Sequence, residues 1–534
     1  MNIIGVYGIP DDGSQYSKNG NTHDHGLCSI EESTGKICVT ELERYTGVKH
    51  DNRLPEYISE LLEIHNNGEF EIASVNSFLG NSFHSTDRRF SFNGKRFEIK
   101  DIIDESECLF DGVSIKAHQV CHEFAHIASC LPFTGNFEDN SMLLHIDGGA
   151  SASASSVWMW EDEKPKLLHA SWDDLKTIVN NFNTSPIAQA ILGLENTDHL
   201  SMPGKLMGYA SYGTYNEKIR IWLESNEWFF FYDNKQDMLR EINSFFGSSI
   251  SRFDTHEKIM MDIVATIQQS FEDDVLRYIS TFKEKTGAEH LYYAGGAALN
   301  IPTNSRILKE CGFKTIFVPP CTSDSGLCIG AASWIKYLQD GPLKIHTPFL
   351  GKKTDYKEEK KTIEKIVPKL VSGGVLGLFI EGSEVGPRAL GHRSIIARPD
   401  SVELRKYVSE ELKKREWYRP LAPVMISDVA KLVLEEEIIP RDLSNYMLGS
   451  YNVKKEYEDK FAGVVHSDGT VRAQVIWPND GNEPLYSILK ALYENYGITG
   501  LIQTSFNKKG EPMVNSIDKA TEVGNEMDIE VIWG

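Results

Sequence analysis

The stretch SMLLHIDGGASASASSVWMW, residues 141–160, decides the fold because it joins two apolar runs through a glycine turn. Each apolar run has the length and residue types of a buried strand. Gly148 and Gly149 allow a tight turn whose exposed backbone N–H groups suit an anion such as a phosphate. Tight turns without a ligand are far commoner, so this turn alone does not identify a nucleotide site.

A second glycine element occurs in LYYAGGAALNIPTNSRI, residues 291–307. Here Gly295 and Gly296 end a predicted strand and a helix follows, and a helix N-terminus after paired glycines favours anion or nucleotide binding. Strand–glycine-turn–strand units in this order occur in the actin-like ATPase superfold. The two elements therefore predict an α/β domain of that class in the first part of the chain.

The length of 534 residues predicts at least two domains. The segment QDGPLKIHTPFLGKKTDYKEEKK, residues 339–361, combines Pro, Gly and dense charge and is the best candidate for a linker. After it, VLGLFIEGSEVGPRALGHRSIIARP opens a separate α/β domain. We place the boundary at 350/351.

Net charge and composition exclude several classes of protein. The chain carries 77 acidic and 55 basic residues, a net charge of −22, which disfavours a broad nucleic-acid surface or an anionic membrane partner. No apolar run approaches the length of a membrane span, the first residues lack a basic leader, and the eight cysteines form no CxxC pair. We expect a cytoplasmic protein.

The sequence HEFAH, residues 122–126, matches the zinc-peptidase pattern H-E-x-x-H. In a helix, His122 and His126 project from one face and suit two ligands of one metal ion. In a peptidase, Glu123 would activate the metal-bound water, and a third ligand would lie downstream. The alternative is an ordinary amphipathic helix with two satisfied histidines.

Arginines concentrate in three separate motifs of the second half. Guanidinium groups bind phosphate oxygens in bidentate geometry, so a converging set would suit a polyphosphate. The alternative is that each arginine pairs with a nearby carboxylate, as Arg388 could with Glu384. The candidate residues are Arg388, Arg393, Lys413, Arg415, Arg419 and Arg472, with Ser505 and Asn507 as neutral hydrogen-bonding partners.

Together these stretches resemble the O-carbamoyltransferases of the nodulation-protein-U, cephalosporin and aminoglycoside type. The resemblance covers nearly the whole chain in order. It rests on HDHGLCSI (23–30), ERYTGVKH (43–50), HEFAHIA (122–128), IDGGA (146–150), PGKLMGYASYG (203–213), AGGAALN (294–300), SDSGLCIGAA (323–332), GPRALGHRS (386–394), KKREWYRPLAP (413–423), HSDGTVRAQ (466–474) and TSFNKKGEP (504–512).

The resemblance implies a TsaD-like domain of the actin-like fold over residues 1–350 and a YrdC-like domain over 351–534. It implies that the second domain forms carbamoyl-adenylate from carbamoyl phosphate and ATP, the latter bound with Mg²⁺. The carbamoyl group would then pass to a hydroxyl of a small acceptor, such as a sugar, an antibiotic, another natural product or a nucleotide. This transfer would occur at a metal site in the first domain.

By the same resemblance, the metal ligands are His122, His126 and Asp324. Fe²⁺ is the first expectation, while two His and one Asp also suit Mn, Co or Zn. The implied adenylate and phosphate contacts are Gly148, Gly149, Gly295, Gly296, Asn300, Arg388, Arg393, Lys413, Arg419, Arg472, Ser505 and Asn507.

The groups expected near the acceptor are His23 and Asp24, as base or orienting pair, with Lys49 beside them. Asp147 would assist the metal or the substrate, or cap the glycine turn. The chain departs from the family at Glu123, where a second histidine is common, and at Ala150, where a glutamate often follows the turn. Both departures bear on the choice of acceptor.

Three other functions compete with this interpretation. Transfer of a threonylcarbamoyl group to tRNA is disfavoured by the acidic charge. A zinc peptidase would leave the arginine motifs unexplained, and a non-catalytic actin-like nucleotide-binding protein would not need them. The sequence does not identify the acceptor or the oligomeric state, for which a homodimer is one option.

Overall fold

The computed structural model describes residues 1–9, 22–65, 68–96, 98–194, 200–232, 234–351 and 362–533. Of the expected linker, residues 352–361 lie outside the described residues. The expected domain boundary at 350/351 stays a prediction.

The first eight strands of the chain form one sheet. They are β1 (Asn2–Tyr7), β2 (Gly26–Ile30), β3 (Ile37–Glu41), β4 (Phe70–Val75), β5 (Ser82–His84), β6 (Phe90–Asn93), β7 (Ile103–Phe110) and β8 (Val113–Val120). Their order is β3-β2-β1-β4-β8-β7-β6-β5. β1 runs parallel to β4 and β4 parallel to β8, whereas β2 and β3 extend the sheet from β1 in antiparallel fashion.

The next five strands form a second sheet. They are β9 (Ser141–Ile146), β10 (Ser155–Glu161), β11 (Lys164–Ser171), β12 (His290–Ala294) and β13 (Thr315–Phe317). Their order is β11-β10-β9-β12-β13, with β9 parallel to β12 and β12 parallel to β13. β10 is antiparallel to both of its neighbours.

Five strands of the first sheet, β3-β2-β1-β4-β8, therefore repeat the topology of the second sheet, and β7, β6 and β5 extend the first sheet beyond β8. In each five-strand unit, three antiparallel strands come first in the chain, and two parallel strands then add to the other side of the first strand. This duplicated order is the arrangement of the actin-like fold. The predicted fold class, an α/β protein of actin-like type in its first part, is confirmed.

Twelve helices accompany these two sheets in the described residues. They are α1 (Leu42–Thr46), α2 (Leu54–His65), α3 (His122–Ala128), α4 (Leu131–Thr134), α5 (Lys176–Thr184), α6 (Pro186–Leu192), α7 (Met202–Ala210), α8 (Glu217–Ser225), α9 (Lys235–Phe246), α10 (Lys258–Thr286), α11 (Ile301–Glu310) and α12 (Leu327–Asp340).

The central strand β9 separates two apolar cores. Met142, Leu144 and Ile146 face a core that includes α10. Leu143, on the opposite face, packs in a core built with α3 and α12. Because side chains alternate along a strand, β9 carries residues on both faces and ends at the glycine turn. This placement brings the turn beside α3.

The remaining strands form a six-stranded sheet, β19-β16-β20-β15-β14-β21, and the small pair β17-β18. The strands are β14 (Leu376–Phe379), β15 (Arg393–Ala397), β16 (Ala422–Ile426), β17 (Tyr451–Asn452), β18 (Thr470–Val471), β19 (Gln474–Ile476), β20 (Leu501–Ser505) and β21 (Glu530–Trp533). The helices are α13 (Thr362–Val371), α14 (Val402–Lys406), α15 (Ser427–Val433), α16 (Arg441–Ser444), α17 (Glu483–Tyr496) and α18 (Ile517–Glu526). The YrdC-like character of this part stays an expectation.

Candidate active site

Three residues expected to bind a metal meet beside α3. His122 and His126 lie one turn apart on this helix, with ring centroids separated by 5.0 Å. Asp324 begins the short turn Asp324–Gly326 that precedes α12. Its Oδ1 lies 3.7 Å from Nε2 of His122 and 3.4 Å from Nε2 of His126. The three side chains are buried and could hold one ion.

The hydrogen bonds around this cluster fit a divalent cation. Among the described residues, Nε2 of His122 and both ring nitrogens of His126 have no hydrogen-bond partner. Nδ1 of His122 lies 3.2 Å from the carbonyl oxygen of Asn76, and the Tyr7 hydroxyl donates to Oδ2 of Asp324 at 2.9 Å. Such outer contacts fix the orientation of ligands. Buried nitrogens without partners are unfavourable, and coordination to a metal would satisfy them.

Electrostatics keep Asp324 ionised. Burial by itself would raise the pKa of this carboxyl group. The nearby imidazoles of His23, His122 and His126 outweigh burial and hold the pKa well below its ordinary value. An anionic carboxylate is the form that a metal requires.

Glu123 turns away from the two histidines and binds the loop after the glycine turn. Its carboxylate accepts hydrogen bonds from the Ser151 hydroxyl at 2.6 Å, from N–H of Ala152 at 2.5 Å and from N–H of Ser153 at 2.9 Å. The Cys121 thiol adds a fourth contact at 3.0 Å. A general base must reach the water that it activates. Since these donors occupy Glu123, the geometry does not support the peptidase interpretation.

Asp147 joins the two glycine elements to the histidine cluster. Its Oδ1 accepts from N–H of Gly148 and its Oδ2 from N–H of Gly296, each at 2.5 Å. The same Oδ2 lies 3.7 Å from Nε2 of His126. Asp147 thus caps the first turn, ties the second turn to it and stands at the edge of the expected metal site.

Glycine is required at the second turn for a steric reason. Gly295 has a φ of +99°, and a Cβ there would lie 2.2 Å from the carbonyl oxygen of Ile146. The end of β12 therefore approaches the end of β9 closely. The turn residues Gly148 and Gly149 lie at the open side, with a Cβ on Gly149 meeting only the Trp172 ring at 3.1 Å.

Asn300 has a local role. Its side-chain oxygen accepts from N–H of Thr303 at 3.2 Å and caps α11, and it also accepts from the Gln268 amide at 3.0 Å. Asparagine is a favoured N-cap because its oxygen satisfies an unpaired N–H of the first turn. Asn300 therefore caps α11, and its expected contact with an adenylate stays a prediction.

The HDHG loop forms a hydrogen-bonded trio. Nδ1 of His23 lies 3.1 Å from Oδ2 of Asp24, and Nδ1 of His50 lies 2.8 Å from Oδ1 of the same carboxylate. Burial lowers the pKa of His23, but the charges of Asp324 and Asp24 outweigh burial and raise it to about 10. The centroid of the Tyr7 ring lies 5.3 Å from that of His25 in this loop and 5.6 Å from that of His122, so the loop lies beside the histidine cluster.

Lys49 lies in the same region and pairs with Glu43. Nζ of Lys49 is 3.1 Å from Oε2 of Glu43, which also accepts from N–H of His50 at 3.0 Å. The lysine is partly exposed. The structure thus brings His23, Asp24 and Lys49 into one neighbourhood, as the sequence predicts.

Four arginines line a cavity of about 120 Å³. Arg388, Arg415, Arg419 and Arg472 come from three separate motifs, and Ser505 lies on the same wall. Three residues of the first part of the chain, Gly204, Met207 and Ile301, also line it. No carboxylate is among the described residues that line it. In a protein with a net charge of −22, such a set without counter-charge favours an anionic ligand.

The burial of these guanidinium groups lowers their pKa values. Burial and the neighbouring charge of Arg419 lower the pKa of Arg388 to about 10 and that of Arg415 to about 9. Burial and the charge of Arg388 lower the pKa of Arg472 to about 9. All three remain cationic at neutral pH, so an anion entering the cavity would relieve their mutual repulsion.

Lys413 supports one wall of the cavity. Its buried ammonium donates to the carbonyl oxygen of Ser505 at 2.7 Å and to the backbone and side-chain oxygens of Asn507. The Ser505 hydroxyl donates to the Asn507 side chain at 2.7 Å. Burial, followed by Arg415, Arg419 and Lys49, lowers the pKa of Lys413 well below its ordinary value.

Two family models match the chain. The model "Carbamoyltransferase N-terminus" matches residues 97–333, and "Carbamoyltransferase C-terminus" matches residues 367–533. The chain belongs to the carbamoyltransferase family. This membership confirms the resemblance predicted from the motifs and the prediction that the chain is an enzyme of this class.

Curated relatives of this carbamoyltransferase match at modest identity. An uncharacterized protein of Methanocaldococcus jannaschii is 26% identical over 76% of this chain and 70% of its own length. One of Synechocystis is 31% identical over 51% of each. The nodulation protein NolNO of Sinorhizobium fredii is 25% identical over 96% of this chain and 78% of its own length. The chain thus spans from about half to about four-fifths of these relatives.

Among solved structures, full-length HypF in its phosphate- and nucleotide-bound form superposes with a TM-score of 0.37 and 11% identity, over 64% of this chain and 56% of HypF. This structural similarity is too weak to add to the evidence from the strand order.

Among the described residues, no helix combines the length and the apolar character that crossing a membrane requires.

Arg393 of the carbamoyltransferase is engaged in the fold. Nε donates to the carbonyl oxygen of Val514 at 3.0 Å, and NH1 donates to those of Ile380 and His392. The guanidinium lies 3.7 Å from the centroid of the Phe379 ring. Arg393 is absent from the lining of the arginine cavity. The described contacts of Arg393 are thus with the fold, and its expected ligand role stays a prediction.

A buried ion pair braces the loop that carries Arg388, residues 384–393, which we name the arginine loop. Oε1 of Glu41 accepts from N–H of Gly386 at 2.6 Å, and NH2 of Arg44 donates to the carbonyl oxygen of Gly386 at 2.6 Å. Nε of Arg44 lies 2.5 Å from Oε2 of Glu41. Gly386 has a φ of +85°, and a Cβ there would lie 2.2 Å from the carbonyl oxygen of Pro320.

Arg388 itself crosses to the first part of the carbamoyltransferase. Its NH2 donates to the carbonyl oxygen of Leu299, next to the second glycine turn, at 3.3 Å. Sequence reasoning missed Glu41, Glu43, Arg44 and His50 as contributors to the site. Glu43, Arg44 and His50 lie inside ERYTGVKH, whose length as a shared motif was the available signal.

Proposed function

We propose that this carbamoyltransferase forms carbamoyl-adenylate from carbamoyl phosphate and ATP and passes the carbamoyl group to a hydroxyl of a small molecule. The observation that carries the proposal is the arginine cavity, which has four guanidinium groups and no carboxylate in its described lining. Carbamoyl phosphate and ATP are both strongly anionic, so their encounter requires clustered cations.

The first half-reaction would take place at the arginine cavity. Water cleaves carbamoyl phosphate to carbamate and phosphate, and a carbamate oxygen then attacks the α-phosphorus of ATP, which is bound with Mg²⁺. Pyrophosphate leaves as the new P–O bond forms. Arg388, Arg419 and Arg472 would hold the phosphate oxygens, and Ser505 would add a neutral hydrogen bond.

The second half-reaction would take place near α3. Held by His122, His126 and Asp324, a metal would supply Lewis-acid chemistry there, which would neutralise phosphate charge and polarise the carbamoyl carbonyl. The acceptor oxygen would attack the carbamoyl carbon as the bond to the AMP oxygen breaks. Because its raised pKa keeps His23 protonated at neutral pH, the His23–Asp24 pair would orient the acceptor hydroxyl through a hydrogen bond to the Asp24 carboxylate, and the hydroxyl proton would be released to water. Lys49 would orient the acceptor.

The direct test is pyrophosphate release from ATP with and without carbamoyl phosphate, because it needs no knowledge of the acceptor. We expect release in the wild type that requires carbamoyl phosphate. Arg388→Ala should lower it by about 100-fold or more, the loss typical of one positioned charge-stabilising group.

Arg398→Ala is the matched control. Arg398 belongs to the same part of the chain and donates to Asp400 at 3.1 Å, but it is not among the lining residues of the cavity. Pyrophosphate release by Arg398→Ala should stay near the wild-type rate. Equal rates in Arg388→Ala and wild type, or release that ignores carbamoyl phosphate, would contradict the proposal.

A further inference from the structure

His145 is a buried histidine that no sequence motif singled out. It is the fifth residue of β9 and is fully buried. Nδ1 lies 3.2 Å from the hydroxyl of Ser156, its cross-strand partner on β10. Nε2 has no hydrogen-bond partner within the part of the chain that the structure describes. Buried polar atoms of this kind are rare and call for a partner.

The surroundings of His145 are those of a metal ligand. Its ring stacks on that of His126, with centroids 5.1 Å apart and planes inclined by 22°. Ligand atoms of His126, His145 and Asp147 all lie within 4.8 Å of one another. His126 also belongs to the set with His122 and Asp324. The two ligand sets thus share one histidine.

Packing does not require a histidine at this position. Leu143, two residues earlier on the same face of β9, lies in the apolar core beside α3. An apolar side chain at 145 would extend that core without burying a polar nitrogen. The histidine therefore calls for an explanation other than packing.

We propose that His145 is a ligand of the divalent cation and that, with His126 and Asp147, it extends the metal site from α3 to β9. Ser156 would accept the proton of Nδ1, which leaves the lone pair of Nε2 free for the metal. A nitrogen-rich set favours Fe²⁺, Co²⁺ or Zn²⁺ over Mg²⁺. This inference rests on the metal site of the proposed function.

The test is titration of metal-free protein with Co²⁺ in the presence of a competing chelator, followed by visible absorption. The wild type should bind one Co²⁺ per chain. His145→Phe keeps a stacked ring but removes Nε2. We expect the affinity of this variant for Co²⁺ to fall by about 100-fold, because even the loss of a residue that only orients a metal ligand typically costs about 10- to 100-fold. The visible bands should shift, because they report the ligands of Co²⁺.

His392→Phe is the matched control. His392 is also buried, stacks on Phe349 and has an unpartnered Nε2, but it lies in the arginine loop. Its Co²⁺ affinity and spectrum should equal those of the wild type. Should His145→Phe fail to fold by circular dichroism, His145→Gln serves instead, with the same expected weakening.

Wild-type affinity and an unchanged spectrum in the His145 variant would overturn the proposal. Failure of the wild type to bind Co²⁺ would remove the metal site and this inference with it. Pyrophosphate release, measured on the same preparations, reports the arginine cavity separately, so failure of the adenylating half-reaction remains distinguishable from failure at His145.

Discussion

Replacing Glu123 separates the role seen in the structure from the catalytic role that H-E-x-x-H suggests. Its carboxylate accepts from two backbone N–H groups, those of Ala152 and Ser153, and from the Ser151 hydroxyl. Glu123→Ala leaves the N–H of buried Ser153 without an acceptor, whereas Ala152 is exposed and its N–H can bind water. At about 1–3 kcal/mol for an unsatisfied buried donor, the folded state should lose about 1–3 kcal/mol.

Glu123→Gln should be milder. The amide oxygen can still accept from both backbone N–H groups, while the NH₂ group donates to the Ser151 oxygen, whose hydroxyl can rotate. The remaining loss is the charge assistance of these bonds, about 1–2 kcal/mol. The assay is urea unfolding of both variants, together with amide hydrogen exchange of residues 148–153.

The activity readout is formation of AMP, with the metal content of each variant measured in parallel. Faster exchange in the loop and a large loss of AMP formation are expected for Glu123→Ala. Glu123→Gln should form AMP at close to the wild-type rate, because the loop keeps both of its backbone hydrogen bonds. Equal and complete inactivity of both variants, with the loop still protected, would refute a positioning role and restore a general base.

Three further predictions follow from the site. His122→Ala should retain carbamoyl-phosphate-dependent pyrophosphate release but fail to bind Co²⁺; parallel loss of both would argue against separate half-sites. Arg44→Met breaks a buried ion pair and should lower the free energy of unfolding by about 3–5 kcal/mol. It should also slow pyrophosphate release although Arg44 does not line the cavity, whereas Arg89→Met, at an exposed ion pair, should not. Burial raises the pKa of Glu41 from 4.5 to about 7, so the folded state retains a proton that the unfolded chain has lost. Wild-type thermal stability should therefore fall relative to Glu41→Gln between about pH 4.5 and pH 7; parallel curves would contradict this.

The local elements of the fold were readable from the sequence. The apolar runs flanking the glycine turn became β9 and β10, and HEFAH lies in α3, because periodicity and turn residues act over short distances. The duplicated strand order was not readable, since the two sheets share a five-strand topology without a visible repeat in the sequence. The two five-strand units are alike in the order and direction in which their strands are connected, and not in their amino-acid sequences.

The parts of the site that could be predicted are those in which the residue type indicates the chemistry, such as histidine for metal binding and arginine for phosphate binding. His122, His126 and Asp324 meet, and four of the candidate arginines line one cavity. Arg393 and Asn300 look the same in sequence as ligand-binding residues, yet backbone partners engage them. Those partners lie far along the chain or depend on helix capping geometry. A single sequence does not specify such pairings.

The hydrogen bonds between Gly386 and the Glu41–Arg44 pair have a consequence for evolution by recombination and for the design of chimeric proteins. The loop that carries Arg388 depends on side chains more than 300 residues earlier in the chain. A chimera that takes its second half from a relative would inherit the loop without the pair that shapes it. Chimeras within this family should therefore be functional only when positions 41, 44 and 386 come from the same parent sequence. Two separately expressed halves should regain function only when they reassociate.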